Sequence, residues 1–250
     1  MGMHSPIEQF VVHDMTGPLF ELAGHPITFS NFALGAVLMV VFGLAFLFLP
    51  FRSRSVIPGR WQVLAEKTVG LVEDTLVEAA GPDSRKFLPF IFSIFLFILL
   101  GNFLGLVPGI YTVTSQFVTN LLLALSVIFT VLFFGFKKFG FHFFHLFVPS
   151  GVPGFLVPII FPIEVVSFFI RPFSLSLRLF ANMLAGHILL KVFAGMTAAI
   201  ATSGWIATVG ILPLVLNIFI VGFEVFVALL QAYIFMILSS VYLRDSLEMH

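Results

Sequence analysis

Three stretches of about twenty residues each, 32–51, 87–107 and 117–136, are apolar and carry no charged side chain, and they constrain this chain more than any other feature. A run of roughly 20 such residues is the length at which an α-helix crosses a hydrocarbon core about 30 Å thick. Overall, 60% of the 250 residues are hydrophobic and 10% are charged, against roughly 45–50% and about 25% in soluble domains. That leaves too little polar surface to coat a globule of this size, so the solvent for most of the chain is lipid. A soluble enzyme is excluded. Net charge is zero and the 12 Lys and Arg are scattered, which gives no basic footprint for nucleic acid. The absence of Cys excludes disulfides, thiol nucleophiles and Cys-containing metal sites, so any chemistry falls to Arg, His, Glu, Asn, Gln, Ser or Tyr.

Residues 1–31 read as a retained, water-exposed arm, because no basic segment precedes an apolar core and Glu8, Asp14 and Glu21 interrupt it. Residues 32–250 form a single membrane domain. Its second and third runs are joined by a short polar turn at 108–116 and read as a transmembrane hairpin. Residues 61–81 have a helical period, with Trp61, Leu64, Ala65, Val72, Leu76 and Ala79 on one face and Glu66, Lys67, Glu73, Asp74 and Glu78 on the other. That is the pattern of an amphipathic helix on the membrane surface or under a partner. Eight Lys and Arg fall in 52–86 and 137–138, and none in 1–30 or 108–116. By the excess of cations in cytoplasmic loops, the N-terminus is expected outside and the C-terminus in the cytoplasm.

Residues 139–162 contain Pro149, Pro153, Pro158 and Pro162 and read as a broken re-entrant or surface segment. His142 and His145 lie three apart there, but their Phe-rich surroundings without carboxylates favour interfacial side chains over a metal site. Two overlong apolar segments follow, 163–196 and 209–243, broken near Gly204. Each would extend about 50 Å at roughly 1.5 Å per residue, so each must tilt steeply or kink, with Pro172 and Pro213 as candidate kinks. The expected fold is an all-α polytopic membrane protein with five membrane helices, the last two long and steeply tilted, plus the surface helix.

Within these segments the polar residues are ordered. At about 100° per residue, Glu164, Arg171, Ser174, Arg178 and Asn182 share one stripe, while His187 and Lys191 fall on the opposite face. Asn217, Glu224 and Gln231 recur every seven residues on the last segment, with Tyr242 eleven further on and close to the same line. Asn120, Ser126 and Asn217, taken singly, fit helix–helix glue. Arg178 does not. A mid-helix Arg costs about 2.5–3.5 kcal/mol on insertion scales, stays charged, and here has no carboxylate within a helical turn. A membrane Glu or His can load and unload a proton. Glu164, His187 and Glu224 are therefore candidates for a proton path, with His187 and Glu224 as a relay pair between helices and Arg178 as a fixed positive barrier. A buried ion-pair lattice is the structural alternative.

These residues also carry a family resemblance. The run from Ser174 through Leu177-Arg178-Leu179-Phe180-Ala181-Asn182 to Gly186-His187 resembles the signature of subunit a of the F-type ATP synthases. Leu229-Leu230-Gln231-Ala232-Tyr233-Ile234-Phe235 with Val241-Tyr242-Leu243 resembles its C-terminal motif, and Gly101-Asn102 through Pro108-Gly109 its second-span segment. The resemblance spans about 30–245 and implies a non-catalytic stator subunit without a cofactor. Its implied partners are a rotating ring of hairpin subunits bearing a membrane carboxylate and the membrane subunits of a peripheral stalk. It implies Arg178 as the essential arginine and Glu164, Ser174 and Tyr242 along a cytoplasmic half-channel. Asn182, His187, Glu224, Gln231, Asn102 and Asn217 would line an outer one. A bacterial inner membrane is the expected location, ahead of a mitochondrial inner membrane. A stand-alone secondary transporter is the competing class, disfavoured by the absence of an internal repeat, and a purely structural anchor would not need Arg178.

Overall fold

A computed structural model of the chain describes residues 10–17, 20–22, 25–50, 58–107, 110–148, 153–202 and 211–247. Six α-helices account for most of them: α1 (Asn31–Phe48), α2 (Arg60–Ala80), α3 (Leu88–Gly105), α4 (Phe117–Phe139), α5 (Val157–Thr202) and α6 (Ile211–Leu247). Two three-residue strands in the arm, β1 (Phe20–Leu22) and β2 (His25–Ile27), pair antiparallel. This small hairpin lies in a segment that the sequence identified only as an arm. Among the described residues five helices are long and apolar enough to cross a membrane, and the chain is a multi-pass, all-α membrane protein. Outward-facing Phe129, Phe133, Ile218 and Phe219 are more than 60% exposed, as expected where lipid rather than water covers the surface.

α5 has 46 residues and α6 has 37, far more than a perpendicular crossing needs. α5 begins at Val157, earlier than the four prolines suggested, and so corrects the reading of 139–162 as broken throughout. Pro158 occupies the first turn, where its missing N–H bonds nothing, and Pro162 and Pro172 each forgo one helical hydrogen bond inside a run that stays helical. Pro213 is likewise in the first turn of α6 and is not a mid-helix kink. A 3₁₀ helix, Gly140–Phe147, fills part of the segment before α5. The expected break at Gly204 and the cations Arg52 and Arg54 lie outside the described residues.

The chain divides into two compact units, and four of the five divisions fall inside helices, α1 at Leu44/Ala45, α3 at Leu96/Phe97, α5 at Arg178/Leu179 and α6 at Gln231/Ala232, while the fifth, Gln116/Phe117, falls at the start of α4. The unit holding 45–96, 117–178 and 232–250 packs Val72 and Leu76 of α2, Ile91 and Phe95 of α3, Val131 of α4 and Phe235 and Met236 of α6 in its core. Aromatic edges tie Phe147 to Phe168, and Phe143 packs on Gly135, where a side chain would collide with its ring. On α2 the buried face is Ala65, Val72, Thr75, Leu76 and Ala80. Trp61 and Leu64, on the apolar face of the period, are exposed in the chain. The helix ends at Gly81, whose φ of 76° suits glycine and turns the chain into the 3₁₀ helix Pro82–Phe87. The other unit, 1–44, 97–116 and 179–231, buries Met39 of α1, Ile98 of α3, Leu179 and Met183 of α5 and Ala228 of α6.

Candidate functional site

Close approach of backbone builds the interior of the 179–231 unit. Gly35 meets the Tyr111 carbonyl, Gly101 meets Met39 and Thr114, and Gly105 meets Thr112, each at a distance that leaves no room for a Cβ. The segment 111–115 is thereby buried between helices although four of its five side chains carry a hydroxyl. It has its own supports: Ser115 Oγ donates to the Thr112 carbonyl at 2.6 Å, and the Tyr111 hydroxyl donates to the Phe10 carbonyl at 3.1 Å. Gln116 Nε2 donates both to that carbonyl, at 3.2 Å, and to the Tyr111 oxygen. Burial pushes the Tyr111 phenol above its ordinary range, only partly opposed by the Gln116 hydrogen bond, so it stays a donor.

Beside this segment lies a cavity of about 640 Å³ lined by Tyr111, Thr112, His187, Lys191, Asn217 and His13 among others. His187 is 8% exposed, with Nε2 at 3.2 Å from Thr112 Oγ1 and the Phe10 ring set edge-on at 6.1 Å. One residue earlier, Gly186 lets α5 approach the Glu224 carboxylate so closely that any side chain there would collide with it. Glu224 is 4% exposed and neither carboxylate oxygen has a partner among the described residues. The same holds for Oδ1 of Asn102, whose Nδ2 donates to the Ala228 carbonyl at 3.3 Å, and for Oδ1 of Asn217. Gln231 is also buried and Asn182 half-buried. Asn217 thus lines a cavity rather than only joining helices. Ser126, in contrast, bonds back to Leu123 on its own helix.

His187 and Glu224, read from the sequence as a relay pair, share no direct hydrogen bond among the described residues. His187 is held by Thr112, and Glu224 sits against Gly186. Sequence reasoning assigned no role to Tyr111, Thr112, Gln116 or Phe10. The available signal was a turn with five hydroxyl or amide side chains in six positions, 111–116, and no charge between two apolar spans.

A second cavity, of about 330 Å³, lies within the other unit and is lined by Ser167, Arg171, Ser174, Arg178, Leu238 and Tyr242 among others. The two arginines on its edge differ. Arg171 Nη1 lies 3.8 Å from Asp245 Oδ2 and its guanidinium sits over the Tyr242 ring at 5.9 Å. Arg178 is exposed, with no ion-pair partner among the described residues. Glu164 is half-buried on the same helix but does not line this cavity. His142 is exposed, and the side chain of His145 lies outside the described residues.

Comparison with known proteins adds relatives to this geometry. Residues 32–244 match the family model described as ATP synthase A chain. The chain is 47% identical to ATP synthase subunit a of Rhizobium rhizogenes, 46% to that of Brucella ovis and 44% to that of Rhizobium etli, in each case over 98% of both chains.

Proposed function

The chain belongs to the ATP synthase A chain family, and from that premise we propose that it is the proton-translocating stator subunit of an F-type ATP synthase, with two aqueous half-channels that Arg178 keeps separate. The observation that carries this reading is Glu224, a carboxylate buried in a membrane helix with both oxygens unpartnered among the described residues, as are the buried amide oxygens of Asn102 and of Asn217, seven positions earlier on the same helix. Each unsatisfied group in hydrocarbon costs several kcal/mol. Such a row persists where water and a mobile proton reach it. The outer half-channel therefore comprises His187, Glu224, Asn182, Gln231, Asn102 and Asn217, with the cavity beside His187 as its vestibule.

The cytoplasmic half-channel comprises Ser174 and Tyr242, which line the cavity that Arg178 edges, and Glu164 on the same helix as Ser174, outside that cavity. The exposure of Arg178 supports a partner supplied from outside the chain, a carboxylate on a ring of hairpin subunits. A proton entering from outside neutralises a ring carboxylate, which then faces lipid at low cost, and the ring turns. On return the carboxylate releases its proton beside Glu164 and is drawn to Arg178. Each charge crossing 100 mV supplies about 2.3 kcal/mol, so several protons drive each ATP. The chain catalyses no bond change itself. It sits in a bacterial inner membrane with its N-terminus outside, beside peripheral-stalk subunits.

The test is passive conduction. Vesicles containing the assembled complex, stripped of its soluble head, are given a pH gradient and followed with a pH-sensitive dye. Conduction is expected only when this chain is present together with the ring. Equal conduction by vesicles lacking the chain would overturn the reading.

A further inference from the structure

We infer that Thr112 is the positioning residue for His187, holding the imidazole in one orientation through both its protonated and its neutral state; the inference rests on the outer half-channel reading. Three observations converge on it. Thr112 Oγ1 lies 3.2 Å from His187 Nε2 in a buried setting. Thr112 is itself fixed: Gly105 accepts its side chain without room for a Cβ, and Ser115 Oγ holds its carbonyl at 2.6 Å. The Phe10 ring edge bounds the imidazole at 6.1 Å, and its own carbonyl is anchored by Tyr111 and Gln116.

A hydroxyl suits this place for a chemical reason. It donates to a bare imidazole nitrogen and accepts from an N–H, so one rotation of its proton keeps the contact whichever form the ring takes. A carbonyl can only accept and an ammonium can only donate. A proton-carrying His next to a hydroxyl therefore need not swing each time it titrates, and its second nitrogen keeps a constant direction. The other titratable or charged groups around it are Lys191 on its own helix, Tyr111 and His13 on the cavity wall, and Glu224 seated on Gly186. Each remains in the variants below.

Thr112→Val keeps the shape and removes the hydroxyl, whereas Thr112→Ser keeps the hydroxyl and removes the methyl that packs on Gly105. Proton-driven ATP synthesis by the whole complex in vesicles, measured across external pH, separates the roles. Thr112→Val is expected to lower the rate roughly three- to tenfold, the factor one hydrogen bond corresponds to. It is also expected to displace the pH profile by roughly half a unit or more. Thr112→Ser is expected to restore both. A Val variant matching the parent in rate and profile, or a Ser variant worse than the Val variant, would overturn the proposal and leave Thr112 as packing. His187→Gln is measured alongside. If it translocates normally, the outer half-channel reading fails and the proposal falls with it, whereas a silent Thr112→Val beside a defective His187→Gln removes the proposal alone.

Discussion

Arg178→Ala is expected to abolish proton-driven ATP synthesis, a fall of at least about a hundredfold, while ATP hydrolysis by the detached head stays intact. Arg178 is exposed on a long membrane helix and edges a cavity, and it has no ion-pair partner among the described residues. A cation in that position serves a charge brought from elsewhere. In the proposed mechanism its permanent charge also keeps protons from passing directly between the half-channels, so the Ala variant is expected to lose coupling rather than merely slow down. Lys is expected to substitute poorly, because an ammonium can lose its proton in an apolar setting and lacks the planar fork that meets a carboxylate with two hydrogen bonds. Arg171 cannot take over, since it is engaged with Asp245 and Tyr242. Synthesis and proton pumping in inverted vesicles, at matched levels of assembled complex, measure the effect. Normal coupled synthesis in the Ala variant would remove Arg178 from the centre of the mechanism.

Glu224→Gln separates activity from stability in a way that a structural carboxylate could not. The native carboxylate is buried and its oxygens have no partner among the described residues, so in the folded chain it is a cost rather than a support. Gln keeps the volume and removes the ionisable group. Proton conduction is expected to fall roughly a hundredfold, the scale of losing a positioned proton carrier. The thermal stability of the solubilised complex is expected to hold or rise. Dye quenching in stripped vesicles and a thermal unfolding scan give the two readouts. A variant that conducts normally, or one that is destabilised in step with its loss of conduction, would contradict a proton-carrying role.

How much of this was legible in the sequence depended on the kind of signal. The spans could be read because uninterrupted apolar runs need no tertiary information: 117–136 lies inside α4, and α3 begins and ends within two residues of 87–107. The polar stripes could be read because helical period is local, and α5 stays helical from Glu164 to His187, the condition for a stripe. The start of α5 was misjudged because proline statistics are weighted toward helix interiors, and Pro158 sits in a first turn. Trp61 and Leu64 were placed on the apolar face of α2 by period alone, and period does not say which part of that face packs within the chain and which is left for the membrane surface or a partner.

The support of His187 was illegible for a deeper reason. Thr112 is 75 positions away, and nothing in a short polar turn says that three glycines on other helices let it sink inside. The same limit explains why the contacts of His187 with Thr112 and of Glu224 with Gly186 could not be read alongside the relay pairing of the two residues. Period gives a residue's face, whereas its partner is set by the close approach of helices at Gly105 and Gly186.

The central claim, two water-filled paths open to opposite sides of the membrane, is tested most directly by thiol accessibility, because the chain contains no Cys and an introduced one is its only thiol. Asn217→Cys reports on the cavity beside His187 and Ser174→Cys on the cavity beside Arg178. Each variant, in the assembled complex, is exposed to a small, permanently charged thiol reagent in right-side-out and in inverted vesicles, and labelling of this chain is measured. The account predicts labelling at 217 only from the outer face and at 174 only from the cytoplasmic face. Labelling of either position equally from both faces, or of neither from any, would contradict it.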